Sequence, residues 1–209
     1  MDGLILAGGK SRRMEGKHKG NLVYQNETFV ERLIHEMRKE TDQIWISYGE
    51  IIHKEYEGCK IIMDEYPGCG PISGLYAGLK KCRSEMLMTA ACDMPFLSVE
   101  FFWYLEGEMK SKENKNLCKY DGAVPIYNGK IHPLAAIYRK EAADILERQI
   151  MLKEFKMMKM LGKMNILYID IAENSRWGRM LKNINTVSDY RRIMEEEGTK
   201  ENDRCSVWG

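Results

Sequence analysis

Four short apolar runs in the first half of the chain, Gly3 to Ala7, Ile44 to Ser47, Lys60 to Met63 and Met86 to Ala91, narrow its fold more than any other feature. Each has the length of a buried strand, and two of the connections between them carry apolar residues at helical spacing. Phe29, Leu33 and Met37 recur every four residues after Thr28, where Glu31 is placed to complete a capping box, and this helix is expected to face the sheet. Pro71 suits the first turn of a second helix running toward Lys81, and its Gly74 and Gly78 share a face that another backbone can approach closely. Strands alternating with helices pack as a mostly parallel sheet covered by helices, so an α/β fold is expected.

The second half is mixed. Ser98 stands ready to cap a helix carrying Phe102, Leu105 and Met109, and the lysine-rich run Lys110 to Lys119 reads as a solvated loop. Asn128-Gly129, between Ala123 to Tyr127 and Ile131 to Tyr138, is a hairpin signal that requires some antiparallel pairing. A helix over Ala142 to Leu152, a strand over Ile166 to Ile169 and a last helix capped by Thr186 complete the pattern. No repeat or linker divides the chain, so one domain over residues 1–197 is expected, with a polar, frayed tail over 198–209.

Lysine plus arginine number 32 and aspartate plus glutamate 31, a balance that argues against a broad nucleic-acid surface. No apolar run approaches the roughly 20 residues that span a bilayer, and no signal-like stretch follows Met1. The six cysteines form no C-x-x-C pair and the four histidines stand singly, so reduced thiols, no zinc site and a cytoplasmic protein are expected.

Candidate chemistry begins where the first strand empties into Gly8-Gly9. Glycine there permits conformations in which successive N–H groups point at one anion, and Lys10, Ser11, Arg12 and Arg13 follow at once, with Lys17 and Lys19 close behind. Such a loop suits a triphosphate, although a solvated basic turn would read the same way. It is neither a Walker loop nor a dinucleotide fingerprint, since the earlier glycine of the one and the spacing of the other are missing. Asp93 falls just past the carboxyl end of an apolar strand, where open α/β sheets bind ligands and where a carboxylate could hold Mg²⁺ against phosphates; a plain turn aspartate ahead of Pro95 is the alternative. Cys92 reads as packing rather than nucleophile.

Taken together, Leu6-Ala7-Gly8-Gly9-Lys10-Ser11-Arg12-Arg13-Met14 with Lys19 five residues later resembles the signature of the molybdenum cofactor guanylyltransferase family. Met63-Asp64, Gly70-Pro71-Ile72-Ser73-Gly74-Leu75, Cys92-Asp93-Met94-Pro95, His132-Pro133 and Asn183-Ile184-Asn185-Thr186 agree in order and spacing, so the resemblance runs from Gly3 to about Ile193. It implies a three-layer, Rossmann-like nucleotidyltransferase fold and transfer of GMP from GTP to the terminal phosphate of molybdopterin or the molybdenum cofactor, with release of pyrophosphate. It also implies that Leu6, Ala7, Gly8, Gly9, Lys10 and Ser11 bind the nucleotide, that Arg13 binds the triphosphate, and that Lys19 neutralises the α-phosphate. Ser47 and Asp64 would contact the base and Asp93 would ligate Mg²⁺. Gly74, His132 and Asn185 are the residues carried toward the second substrate, His132 having a purely structural reading as well. Partners implied are GTP, the cofactor and proteins that deliver or receive it, with no nucleic acid and no membrane. The chain departs from the family at Glu15 and His18, where glycine and an acidic or amide residue are usual, and at Ser47, where the family has an asparagine. CTP-dependent or sugar-phosphate transfer and non-catalytic nucleotide binding are the alternatives.

Overall fold

The computed structural model describes residues 1–8, 19–49 and 54–205, with backbone alone from 197 onward. The expected phosphate-loop residues Gly9, Lys10, Ser11 and Arg13, with Glu15 and His18, lie outside the described residues.

In chain order the elements are β1 (Asp2–Leu6), the short ribbon β2 (Val23–Tyr24) and β3 (Glu27–Thr28), α1 (Phe29–Met37), β4 (Ile44–Ser47), β5 (Cys59–Ile62), α2 (Pro71–Lys81), β6 (Met86–Ala91) and α3 (Val99–Asn116). The second half adds β7 (Gly122–Tyr127), β8 (Lys130–Ile131), β9 (Ala135–Arg139), α4 (Ala143–Met151), α5 (Met157–Leu161), β10 (Ile166–Asp170) and α6 (Val187–Cys205). The main sheet runs β10-β7-β9-β6-β1-β4-β5, with β8 paired to β7. Neighbours β6, β1, β4 and β5 are parallel, as are β10 and β7, while β9 is antiparallel to both β6 and β7.

Period-two alternation along the buried strands sends residues to two separate cores. Ile5, Ile44, Ile46, Met88 and Ala90 pack under α1 and α3, whereas Leu4, Leu6, Trp45 and Leu87 pack under α2, α4 and α5. The result is a three-layer α/β/α sandwich with a mostly parallel sheet. The chain leaves β1 through α1 toward β4 on one side, then returns through α2 to β6 on the other. Keeping both crossovers right-handed puts those helices on opposite faces and opens a crevice beyond the carboxyl ends of β1 and β6.

Local signals account for much of this. Thr28 and Glu31 form the reciprocal capping box at the start of α1, and Pro71 begins α2. At Gly78 an added Cβ would stand 2.6 Å from Leu4 Cδ2, so α2 lies closer to the sheet than any larger residue allows. Asn128 and Gly129 take positive φ values of 50° and 70° in the β7–β8 hairpin.

Other expectations are corrected. The run Lys110 to Lys119 is not a loop: α3 continues through it to Asn116 and stops at Leu117, which takes φ 49°. Its lysines and Glu113 favour helix without showing an apolar stripe, so periodicity misses them. Ser98 occupies the position before α3, but its side chain makes no capping hydrogen bond. Phe29 turns away from the sheet into a third cluster with Leu22, Tyr24 and Ile184. The backbone of α6 runs from Val187 to Cys205. The β2–β3 ribbon, which turns on Gln25 and Asn26 at positive φ, and the five-residue α5 are too short to show in the sequence pattern.

Candidate active site

Three groups far apart in sequence meet beyond the carboxyl end of β6. Asp93 lies two residues past that strand; Lys19 Nζ approaches its Oδ2 at 3.4 Å and donates to Asn185 Oδ1 at 2.5 Å. The side chains of Lys19 and Asp93 are 21% and 18% exposed. Asp93 Oδ1 is buried and has no hydrogen-bond partner among the described residues. An orphaned buried carboxylate oxygen is costly, so its presence here marks a place prepared for a further ligand.

Backbone contacts hold this arrangement. The amide of Cys92 donates to Leu6 O at 3.0 Å, tying the approach to Asp93 onto β1. The amide of Ile184 donates to Asp93 O at 2.8 Å and so brings the 183–186 segment alongside. Asp189, which the sequence reading passed over, accepts the amides of Asn185 and Thr186 at 3.0 and 2.9 Å, and its own amide donates to Thr186 Oγ1 at 3.1 Å. Burial pushes the Asp189 carboxyl up, but those amides outweigh it and hold the group below its ordinary value. The pattern Thr186-x-x-Asp189 is a capping box with aspartate in the acidic place, and it was legible as such.

The third hydrophobic cluster clamps the same segments together. Leu22 follows Lys19, Phe96 follows Asp93, and Ile184 precedes Asn185; all pack with Tyr24 and Phe29. Tyr24 meets Phe96 edge-on at 5.2 Å, and the Tyr190 hydroxyl donates to Val23 O at 2.6 Å. Phe29 therefore serves the site wall instead of the sheet.

A second part of the crevice lies over β1, β4 and β5. Leu6 and Ala7 are buried and Gly8 is exposed. A Cβ on Gly8 would stand 2.8 Å from Tyr48 O, so glycine there lets the loop entrance lie against the Tyr48–Gly49 backbone. Ser47 is buried, and its hydroxyl donates to Asp64 Oδ1 at 3.2 Å. Gly74 is buried beneath Ser47 and Leu6.

His132 sits where the ribbon returning along β7 breaks. Ile126 pairs with Ile131 but Ala123 with Ile137, so three extra residues are accommodated between them, and the His132 amide donates to Pro125 O at 3.0 Å. Leu134 O accepts the amide of Ala91, which sets this break beside the end of β6. The ring is 5% exposed and its Nε2 has no partner among the described residues. Burial lowers its pKa to about 4, helped by the charge of Lys130 and opposed by that of Asp93, so the imidazole is neutral at physiological pH. Cys92 is buried, and that burial pushes its thiol up to about 12, which leaves it no part as a nucleophile. Among the described residues no three His, Cys, Asp or Glu side chains converge as a self-contained metal cage, and no helix is long and apolar enough to cross a membrane.

Of the residues singled out from sequence, the fold brings Lys19, Asp93 and Asn185 together at one end of the crevice. Ser47 and Asp64 meet at the other, with Gly8 against the backbone of Tyr48 and Gly49, and His132 borders the end of β6.

Known proteins resemble this chain over most of its length. Residues 3–166 match the MobA-like NTP transferase domain. A Clostridium perfringens protein named "Probable molybdenum cofactor guanylyltransferase" is 31% identical over 198 residues, covering 92% of this chain and 96% of the relative. A protein of the same name from Carboxydothermus hydrogenoformans is 29% identical over 200 residues, covering 94% of this chain and 96% of that one. The solved structure of molybdopterin-guanine dinucleotide biosynthesis protein A from Archaeoglobus fulgidus superposes with a TM-score of 0.74 at 26% identity, over 95% of this chain and all of that one. With its fold, its crevice and a family match over most of its length in agreement, this chain belongs to the MobA-like NTP transferase domain family.

Proposed function

We propose that the protein is a molybdenum cofactor guanylyltransferase, which moves GMP from GTP onto the terminal phosphate of molybdopterin or the molybdenum cofactor and releases pyrophosphate. The observation that carries this reading is the meeting of Lys19, Asp93 and Asn185 at the topological switch point, with one Asp93 oxygen buried and unpartnered among the described residues. The names of the full-length relatives support the choice of substrates.

In this reading the acceptor phosphate is already anionic and needs no strong base. Lys19 lies against the α-phosphate and offsets the charge that grows as the bond to pyrophosphate breaks. Asn185, held by Asp189, orients the lysine and borders the acceptor, and His132 lines the acceptor side as a neutral ring. The donor set fits a hard divalent cation, taken here to be Mg²⁺: a single carboxylate, Asp93, with an amide oxygen nearby matches an ion that keeps water and substrate phosphates as its other ligands. Such an ion supplies charge neutralisation across the phosphates. Asp64 selects the base. Guanine presents two adjacent donors, N1–H and N2–H₂, to a carboxylate, whereas cytosine presents acceptors beside its one amino group, so GTP is favoured over CTP.

The test is a transfer assay with purified protein, Mg²⁺, molybdenum cofactor and each nucleoside triphosphate in turn. Pyrophosphate release and dinucleotide formation with GTP, and little with CTP, are expected. Equal use of CTP would refute the base assignment, and no release with any nucleotide would refute transfer.

A further inference from the structure

Ser47 ends β4 with its side chain turned inward. It is 3% exposed, and its hydroxyl donates to Asp64 Oδ1 at 3.2 Å. The Ser47 carbonyl accepts the Ala7 amide at 2.8 Å, so the strand ladder rather than a loose loop fixes where that hydroxyl stands. Beneath it lies Gly74 of α2. A Cβ at that position would stand 2.6 Å from Ser47 Oγ and 2.6 Å from Leu6 Cδ2. Any side chain there would take the space the hydroxyl occupies. On the other side, the Asp64 amide reaches Gly49 O at 3.4 Å, and Gly49 takes φ 79°.

We propose that Gly74 and Ser47 are positioning residues for base selection: Gly74 leaves the room in which the Ser47 hydroxyl sits, and that hydroxyl orients the Asp64 carboxylate that reads guanine. The proposal rests on the assignment of Asp64 to the base made above. Rotation about the last bond of an aspartate is soft, so an unguided carboxylate presents both oxygens to a pair of donors only part of the time. A hydroxyl on Oδ1 narrows that rotation, and a carboxylate oxygen that accepts one hydrogen bond keeps a second lone pair. Where a longer side chain would reach the base directly, this chain reaches it through Asp64. Gly74, carried from sequence toward the second substrate, thereby acquires a role on the nucleotide side.

The experiment compares GTP with ITP, which lacks the 2-amino group, at saturating acceptor in the wild type, Ser47→Ala, Ser47→Thr, Gly74→Ala and the double variant Ser47→Ala/Gly74→Ala. A hydrogen bond to a charged group makes the wild-type preference for GTP in kcat/KM at least roughly ten-fold. Ser47→Ala and Gly74→Ala are each expected to reduce that preference roughly five-fold while kcat/KM for ITP changes less than about two-fold. The double variant falls no further than either single one, because both changes break the same contact, and Ser47→Thr keeps the preference. Thermal melting reports folding; Ser47→Ala removes one oxygen atom and carries the test even if Gly74→Ala unfolds. An unchanged GTP:ITP ratio in Ser47→Ala, or an equal fall with both nucleotides, overturns the proposal. So does a Gly74→Ala enzyme that keeps the ratio and raises only the KM for acceptor. A wild type that prefers neither GTP to ITP nor GTP to CTP overturns the guanine assignment itself, and is seen before any variant is made.

Discussion

Replacing Lys19 by alanine separates catalysis from folding. Lys19 Nζ lies 3.4 Å from Asp93 Oδ2, and at an effective dielectric constant of about 20 opposite charges at that distance attract by roughly 4–5 kcal/mol. About a fifth of each side chain is exposed, and ion pairs of that kind return a net of about 1 kcal/mol once solvation and side-chain entropy are included. Unfolding should therefore change little: with a urea m-value of about 2 kcal/mol/M, the midpoint falls by about 0.5 M. Chemistry should change much more. Removing one preorganised donor aimed at charge that develops in the transition state costs about 3–4 kcal/mol, or roughly a hundred- to a thousand-fold in kcat. The assay is pyrophosphate release with GTP and acceptor, alongside urea melting of the same preparation. Lys19→Arg keeps the charge but not the reach, and is expected to fall between the wild type and Lys19→Ala. A Lys19→Ala enzyme with kcat within about three-fold of wild type refutes the role at the α-phosphate. A midpoint loss above about 1.5 M would make the lysine a structural residue instead.

Two glycine replacements should move stability in opposite directions. Gly78→Ala gains about 1 kcal/mol of helix propensity but sets a Cβ 2.6 Å from Leu4 Cδ2, so a net loss of about 1–2 kcal/mol is expected, whereas Gly107→Ala meets nothing within 4 Å and should gain about 0.5–1 kcal/mol; equal effects in urea melts would contradict this. His132 protonates near 6.5 in the unfolded chain but only near 4 when folded, so the unfolded state takes up a proton between those values and stability is lost as pH falls through that window. The loss reaches about 3 kcal/mol, and His132→Gln should abolish it; parallel pH profiles for the two proteins from pH 4 to 7 would rule it out. Arg139 is 8% exposed and donates to both oxygens of Glu113 at 3.1 and 3.0 Å while pairing with Glu85. Arg139→Ala leaves the half-hidden Glu113 without its cationic partner and should lower Tm by on the order of 10 °C, and a change under about 2 °C would count against that account.

What the sequence determined by itself is what neighbouring residues decide. The capping box at Thr28 and Glu31, the proline start of α2, the Asn128-Gly129 turn and the four early strands all depend on spacings of two to four residues, and the fold class follows from their alternation. The ends of strands were legible too, which is why Asp93 and Gly8 could be singled out, whereas Asp64 entered only through the family resemblance. Tertiary structure alone decided where side chains point once more than one partner competes for them. Phe29 keeps its helical spacing yet packs with Leu22, Tyr24 and Ile184, because closing the wall around Lys19 and Asn185 buries it as fully as the sheet would. Lys110 to Asn116 is helical because α3 propagates past the core that nucleates it, something no apolar pattern records. The pairing of Lys19 with Asn185 spans 166 positions and that of Ser47 with Asp64 spans 17. Such contacts exist only after β1, β4, β5 and β6 have been ordered in the sheet, since local propensity carries no information about which strand ends will meet.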